Sequence, residues 1–310
     1  MYPLIAIVGP TASGKSELAM YLAERFSGEI VNYDSVQIFR HLNIGTAKPT
    51  PEERQRIPHH MIDIREPDEV FTAGDYQREA RRVLEELRGR RKLPILVGGT
   101  GLYLRALVEG LFEGPTRSAY WRNRLEMLAE RKGRSYLHRL LKRLDPVAAS
   151  RIAERDKPKI VRALEVRLET GKALSQHLAE KPRQPLAGFE VHFVGLNPAR
   201  EDLYRRIDSR VCRMFEAGLV EEVRQLLANG MPPSVKPFEA IGYRHVIADL
   251  DSCIPGDETI RIIQRDTRHY AKRKMTWFRR QPDVRWFDGP GDRDETKEKV
   301  YQFLEKLVNF

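Results

Sequence analysis

The stretch with the most legible chemistry is Gly9-Pro10-Thr11-Ala12-Ser13-Gly14-Lys15-Ser16. It follows the apolar run Leu4-Ile5-Ala6-Ile7-Val8 and precedes a pattern in which Leu18, Leu22 and Phe26 recur every four residues, so it reads as strand, glycine loop, helix. In that context the backbone N–H groups of Ser13 to Ser16 wrap an anion at a helix N-terminus, Lys15 adds a full positive charge, and the Ser16 hydroxyl is placed to ligate Mg²⁺. The expected ligand carries a di- or triphosphate. Kinases, GTPases, helicases and some transferases share this cradle, so it names no reaction by itself. An Asn-Lys-x-Asp guanine reader is missing, which disfavours a GTPase.

Three further groups stand where they could reach such a ligand. A second strand, Glu29 to Tyr33, ends in Asp34-Ser35-Val36-Gln37. Ligands of open α/β folds gather at the C-terminal ends of strands, which puts the Asp34 carboxylate near the cradle; an Asp-Ser pair there reads equally as a helix N-cap. A third strand, Pro94 to Val97, opens into Gly98-Gly99-Thr100-Gly101-Leu102-Tyr103, where the glycines permit close approach and Thr100 offers a hydroxyl, though a tight turn accounts for the same residues. Arg206 and Arg210 lie beside the seam Leu203, Ile207, Val211 and Phe215 of a later helix, and such a pair can clamp phosphate in a fork. Asp202 is a local partner for Arg206, which leaves Arg210 the better candidate.

The elements that must hold these groups follow from periodicity. Tyr76, Ala80, Val83, Leu84 and Leu87 mark a helix before the third strand, and Phe189 to Val194 a strand after it. His41 to Pro67 shows little periodicity and reads as a long surface excursion, its His59-His60 pair packing or hydrogen-bonding rather than holding metal. Between Gly114 and Pro185 strand signals vanish and three helical patterns appear, around Leu125, Leu140 and Leu164, with solvent faces bearing Arg122, Arg124, Arg131, Arg134, Arg139, Lys142 and Arg143. The expected architecture is α/β, a P-loop NTPase-like parallel sheet flanked by helices with an inserted all-helical subdomain: core 1–113, insert 114–187, core 188–310.

A last long helix, Asp257 to Arg280, carries Arg261, Arg265, Arg268, Lys272 and Arg279 on one stripe, with Ile263, Tyr270, Trp277 and Phe278 opposite. The like charges should repel, and a polyanion laid along them would relieve that strain. Lys274 falls instead among the aromatic residues, where it either snorkels or points into a polar active site. Val284 to Phe287 reads as a final strand and Glu295 to Leu307 as a closing helix.

The chain has 310 residues and a formal charge of +10, a balance that favours a polyanionic partner such as nucleic acid over a merely basic surface. Its two cysteines, Cys212 and Cys253, are far apart and argue against a disulfide framework or zinc site. Without a long apolar run or a secretory signal, the sequence reads as a cytoplasmic protein with no membrane association.

Taken in order, the P-loop, Asp34-Ser35-Val36-Gln37, Gly45-Thr46-Ala47-Lys48-Pro49, His59-His60-Met61-Ile62-Asp63, Gly98 to Tyr103, Ile241-Gly242-Tyr243-Arg244 and Thr276-Trp277-Phe278-Arg279 resemble the bacterial tRNA dimethylallyltransferase family along nearly the whole chain. The resemblance implies transfer of a dimethylallyl group from dimethylallyl diphosphate to N6 of the adenine 3′ of the anticodon, with Mg²⁺ as the cofactor and the anticodon arm of tRNA as the partner of a monomer. It implies that Gly9 to Ser16 grip the donor's diphosphate, with Lys15 and Arg210 among the acting groups, and that Asp34 is the base. It further implies that Thr100 and Asp34, Ser35, Val36 and Gln37 contact the target nucleotide. Arg122, Lys157, Lys159, Arg162 and Ile241, Gly242, Tyr243 and Arg244 would meet the tRNA. Three departures are visible: Phe39 stands where tyrosine is common, Lys274 and Met275 where the family often has Gln, and neither the length nor the cysteines of the eukaryotic C-terminal zinc finger are present. Rival readings are an adenylate isopentenyltransferase acting on free AMP, ADP or ATP, a small-molecule kinase, and a non-catalytic nucleotide-sensing RNA-binding protein.

Overall fold

The computed structural model describes residues 1–112, 114–252 and 256–308. Cys253 lies outside them; Cys212 is a half-buried free thiol. The chain divides into two units, Met1–Val108 with Leu186–Phe310, and Glu109–Pro185. The sequence reading set the insert at 114–187. The Leu186 amide, however, donates to the Val108 carbonyl at 2.8 Å, so the core closes on itself at 108 and 186.

The core unit is built on six strands: β1 (Tyr2–Val8), β2 (Glu29–Asn32), β3 (His59–His60), β4 (Pro94–Val97), β5 (Phe189–Asn197) and β6 (Val284–Asp288). They run in the order β3-β2-β4-β1-β5-β6, every neighbouring pair parallel. A parallel sheet is covered on both faces, which is why β4 and most of β1 read as continuous apolar runs; β2 is buried as well but carries Glu29 and Asn32 at its two ends. Alternation of side chains divides β1 between two cores. Leu4, Ala6 and Val8 face one cluster with Tyr76, Leu84, Leu104, Val223 and Tyr243; Ile5 and Ile7 face another with Leu18, Leu22, Val300 and Leu304.

The helices are α1 (Lys15–Arg25), α2 (Pro51–Arg56), α3 (Ala73–Gly89), α4 (Gly101–Glu109), α5 (Ala119–Lys132), α6 (Arg134–Leu144), α7 (Pro146–Arg151), α8 (Lys157–Thr170), α9 (Leu174–Glu180), α10 (Arg200–Glu216), α11 (Leu219–Ala228), α12 (Tyr243–Ser252), α13 (Gly256–Phe278) and α14 (Asp294–Glu305). The excursion from His41 to Pro67 is more ordered than its composition suggests. It contains α2, started by a Thr50–Glu53 capping box with Pro51 in the first turn, and the edge strand β3. His59 bonds the Ile57 carbonyl and His60 the Glu29 carboxylate, each at 2.7 Å, which matches the hydrogen-bonding role expected of the pair.

The second unit has its own core, in which Leu125, Leu137, Leu141, Ile160 and Leu164 pack together. Inside it Glu165 is fully buried. Its carboxylate takes bonds from Arg122 (3.0 and 3.2 Å), Arg162 (3.0 Å) and the Ser118 amide (2.7 Å). Burial opposes ionisation of Glu165, but the bonds from Arg122, Arg162 and Ser118 hold its carboxyl below the ordinary glutamate value.

Candidate active site

The glycine loop takes the expected form. Gly14 has φ +79°, a left-handed conformation, and caps α1. A Cβ there would lie 2.8 Å from the backbone nitrogens of Gly291 and Asp292, so this position needs glycine both for its torsion and for its neighbours. The Gly291 amide donates to the Ser13 carbonyl at 2.8 Å and Arg206 donates to the Ala12 carbonyl at 2.9 Å, bracing the loop from outside. Lys15 donates to the Pro10 carbonyl at 2.6 Å.

Asp34 is brought beside the loop by two strand ends. β2 and β4 are adjacent, and Gly98 lets them close: a Cβ on it would fall 2.6 Å from the Tyr33 carbonyl carbon and 2.8 Å from the Asp34 nitrogen. The two oxygens of Asp34 then divide the roles left open by the sequence. Oδ1 accepts from the amides of Val36 (2.9 Å) and Gln37 (3.4 Å), ordering the turn; Oδ2 faces the space over Gly99. Thr100 secures the same turn, accepting from the Ser35 amide at 2.9 Å and donating to the Ser35 hydroxyl at 3.0 Å. Gln37 reaches across to the carbonyls of Thr46 and Ala47, both at 3.1 Å.

A cavity of about 700 Å³ is lined by Thr11 to Ser16 of the P-loop, Asp34, Gln37, Gly98 and Gly99, Arg210 and Lys274, while Thr100 stands behind it, bonded to the Ser35 turn. Its electrostatics are those of an anion site. Burial, reinforced by the charges of Lys274 and Arg210, pushes Lys15 well below its ordinary value, and Lys274 is lowered to about 8 chiefly by burial. Cations crowded to that degree repel one another, and a bound diphosphate would relieve them. The exposed Ser16 hydroxyl sits at the cavity wall, which suits Mg²⁺: that ion keeps most of its waters and takes few protein ligands beside substrate phosphates.

The arginine pair separates as the sequence suggested, through a different partner. Arg206 binds Asp292 at 2.7 Å, while Asp202 pairs with Arg205 and Arg293. Among the described residues Arg210 makes only a long 3.4 Å bond, to the Thr46 carbonyl, which leaves its guanidinium largely uncommitted at the cavity wall. The brace formed by Gly291 and Asp292 escaped the sequence reading, although Gly289-Pro290-Gly291 directly after a strand was a usable signal.

Residues expected at an RNA surface are placed less uniformly. Arg122 and Arg162 are engaged with Glu165, and Lys159 pairs with Asp156. Lys157 is half-buried in the first turn of α8. Tyr243 is fully buried and donates to Glu222 at 2.6 Å; Gly242 is buried, Ile241 half-buried and Arg244 exposed. Glu222 also accepts from the amides of Asn43 and Ile44, each at 2.9 Å, so Tyr243 belongs to the anchor of the loop that carries Thr46 and Ala47. Phe39 is likewise a core residue, 4% exposed, so its lack of a hydroxyl leaves no gap in a binding surface. On α13 the charge stripe is partly compensated, since Arg261, Arg265 and Arg268 pair with Glu258, Asp266 and Asp208. The like-charge strain is therefore smaller than the helical projection implied.

A parallel sheet with a P-loop after β1 and a carboxylate just past the end of β2, one strand removed across β4, defines a P-loop-type fold with a site for a phosphorylated ligand. The family model described as IPP transferase matches residues 37–281, a range that starts beyond the P-loop itself. A tRNA dimethylallyltransferase of Solibacter usitatus is 49% identical over 306 residues, 99% of each chain, and one of Koribacter versatilis is 50% identical over 289 residues, 93% of this chain and 94% of its own. Among solved structures, the tRNA isopentenylpyrophosphate transferase of Bacillus halodurans superimposes with TM-score 0.73 at 36% identity, covering 99% of this chain and 97% of its own. A eukaryotic dimethylallyltransferase described as acting on tRNA reaches TM-score 0.82 at 27% identity, covering 99% and 80%. The chain belongs to the IPP transferase family.

Proposed function

We propose that the protein transfers the dimethylallyl group of dimethylallyl diphosphate to N6 of the adenine 3′-adjacent to the anticodon in tRNA, releasing diphosphate. The observation that carries this reading is the placement of Asp34 Oδ2 at the wall of a cation-lined cavity, next to a phosphate cradle. The exocyclic amine of adenine is a weak nucleophile because its lone pair is delocalised into the ring. A base that takes its proton and a stabilised leaving group are both required.

In the reaction the N6–C1 bond forms as the bond between C1 and the diphosphate oxygen breaks, and the amine proton passes to Asp34. The amides of Ser13 to Ser16, Lys15 and Arg210 hold the growing charge on the diphosphate. Ser16 would hold Mg²⁺, which would supply Lewis-acid stabilisation of the leaving group. The adenine must leave its stack to reach a cavity of this depth. Thr100 and the 34–37 turn shape the acceptor side, and Arg122, Lys157, Lys159, Arg162 and Ile241 to Arg244 act at the tRNA, directly or by ordering the segments that do. The working form is a cytoplasmic monomer.

Incubation with radiolabelled dimethylallyl diphosphate, Mg²⁺ and either tRNA or AMP tests the reading. Label in tRNA is expected. Label in AMP would mark a free-nucleotide enzyme, and tRNA binding without labelled product a non-catalytic binder. Arg210→Ala should weaken donor binding about 10-fold or more, the scale of one lost charged hydrogen bond, measurable by calorimetry. If about five phosphates are contacted, tRNA affinity should fall about tenfold for each doubling of salt. A flat salt response would detach the basic surface from tRNA binding.

A further inference from the structure

Lys274 is the cationic side chain that the donor and acceptor halves of the site share. It extends from α13 into the cavity, where its Nζ donates to Thr11 Oγ1 of the P-loop at 3.2 Å and lies 4.3 Å from the centre of the Tyr270 ring. A Cβ placed on Gly99 would fall 2.4 Å from this Nζ and 2.6 Å from Asp34 Oδ2. The ammonium and the carboxylate thus converge on one point, within about 5 Å of each other, the range over which each favours the other's charged form. Among the described residues Lys274 makes no salt bridge of its own, so its donors are not spent on a protein carboxylate.

We propose that Lys274 is a donor-binding residue, its ammonium group contacting the diphosphate from α13, the helix packed against α10, while standing against Asp34. The proposal rests on the functional reading above and adds to it a contact set by α13, an element that the P-loop pattern does not include. Two features support the assignment. First, the charged groups that face Lys274 are Asp34 from the end of β2, Arg210 from α10 and Lys15 from the P-loop, with Arg273 beyond the Tyr270 ring. Asp34 is the carboxylate that acts on Lys274, and Glu17 is a further one that acts on Lys15 and Arg210, so the three cations outnumber the acids and a bound anion restores the balance. Second, Tyr270 and Thr11 hold the ammonium from two sides, which lowers the entropy lost when it meets a ligand.

The charge of Lys274 is conditional in the free protein, because its value is lowered to about 8. The sign follows directly. A diphosphate binds the protonated form better, so binding raises that value, and affinity falls as pH rises through about 8.

Calorimetric titration of the full-length protein with dimethylallyl diphosphate and Mg²⁺, without tRNA, from about pH 7 to about pH 9.5 tests this. In the wild type the donor Kd should rise about tenfold per pH unit above the lysine's midpoint. Lys274→Gln should bind about tenfold more weakly at the low end and lose one proton's worth of that slope, while Lys274→Arg, always charged, should lose the slope and keep most of the low-pH affinity. Thermal melting of each variant checks that the fold persists. A Lys274→Gln protein that melts normally and keeps both the affinity and the slope would overturn the role. Failure of the wild type to bind the donor at all would overturn the functional reading and this role together.

Discussion

Asp34→Ala is expected to lower turnover by about 10²-fold or more while dimethylallyl diphosphate binding stays nearly intact. The asymmetry follows from geometry. The P-loop amides are fixed by the loop itself, and Asp34 acts on Lys15 and Arg210 through its charge without a hydrogen bond to either among the described residues, whereas Oδ2 is the acceptor turned toward the cavity. Alanine also deletes Oδ1, which orders the amides of Val36 and Gln37, so a second variant separates the two losses. Asp34→Asn retains an acceptor for those amides and removes the base. Both variants should show the same deep loss in single-turnover transfer to tRNA. Near-normal turnover in Asp34→Asn would confine the residue to its turn.

Glu165→Ala is expected to destabilise the helical unit by about 3–5 kcal/mol, the cost of breaking a buried ion pair from one side. The residue is fully buried and satisfies two guanidinium groups and the Ser118 amide that starts α5. Without it, Arg122 and Arg162 remain partly buried with uncompensated charge. Chemical denaturation followed by signals from Trp121 would report the change. A loss below about 1 kcal/mol would show that water reaches both arginines. The pH response has a definite sign as well. Because the carboxyl is held below its ordinary value in the folded state, its contribution is present above the unfolded value and disappears as pH falls through the folded one. The Glu165 case also bears on RNA binding, since Arg122→Ala would perturb both the unit's stability and its surface. A loss of tRNA affinity in that variant therefore needs a melting curve beside it.

How much was legible beforehand depended on whether a residue's role was local. The P-loop, β1 and β4 declared themselves because a strand buried on both faces is largely apolar and a phosphate cradle has fixed spacing, whereas β2 showed only Ile30 and Val31 between Glu29 and Asn32. Asp34 could be placed near the cradle because it follows the C-terminal end of a strand, yet two of its roles stayed open until each oxygen was seen to have its own task. The edge strand β3 is only His59 and His60, too short for any period, and α2 buries no residue, so neither had an apolar pattern to show. The α2 capping box was present in the letters Thr50-Pro51-Glu52-Glu53 and was the missed clue.

Long-range partners were the hardest to read. Arg206 was paired on paper with Asp202 four residues away, but the fold supplies Asp292, some 86 positions later. Arg122 reads as a solvent-facing charge and Arg162 as a tRNA contact implied by the family resemblance, because nothing in the sequence reveals that Glu165 turns inward between them. Tyr243 carried the same ambiguity: its motif marks it, and only packing places its hydroxyl on Glu222 inside the core. Lys274, by contrast, was set apart by projection alone, being a cation among aromatic residues.

The most direct test of the account is a crystal structure of the protein with Mg²⁺, an unreactive thio analogue of dimethylallyl diphosphate and an anticodon stem-loop. The expected result is a diphosphate on the Ser13 to Ser16 amides, touched by Lys15 and Arg210, with Asp34 Oδ2 about 3 Å from an unstacked adenine N6. An analogue bound in the cradle while Asp34 faces away, beyond reach of the adenine, would contradict it.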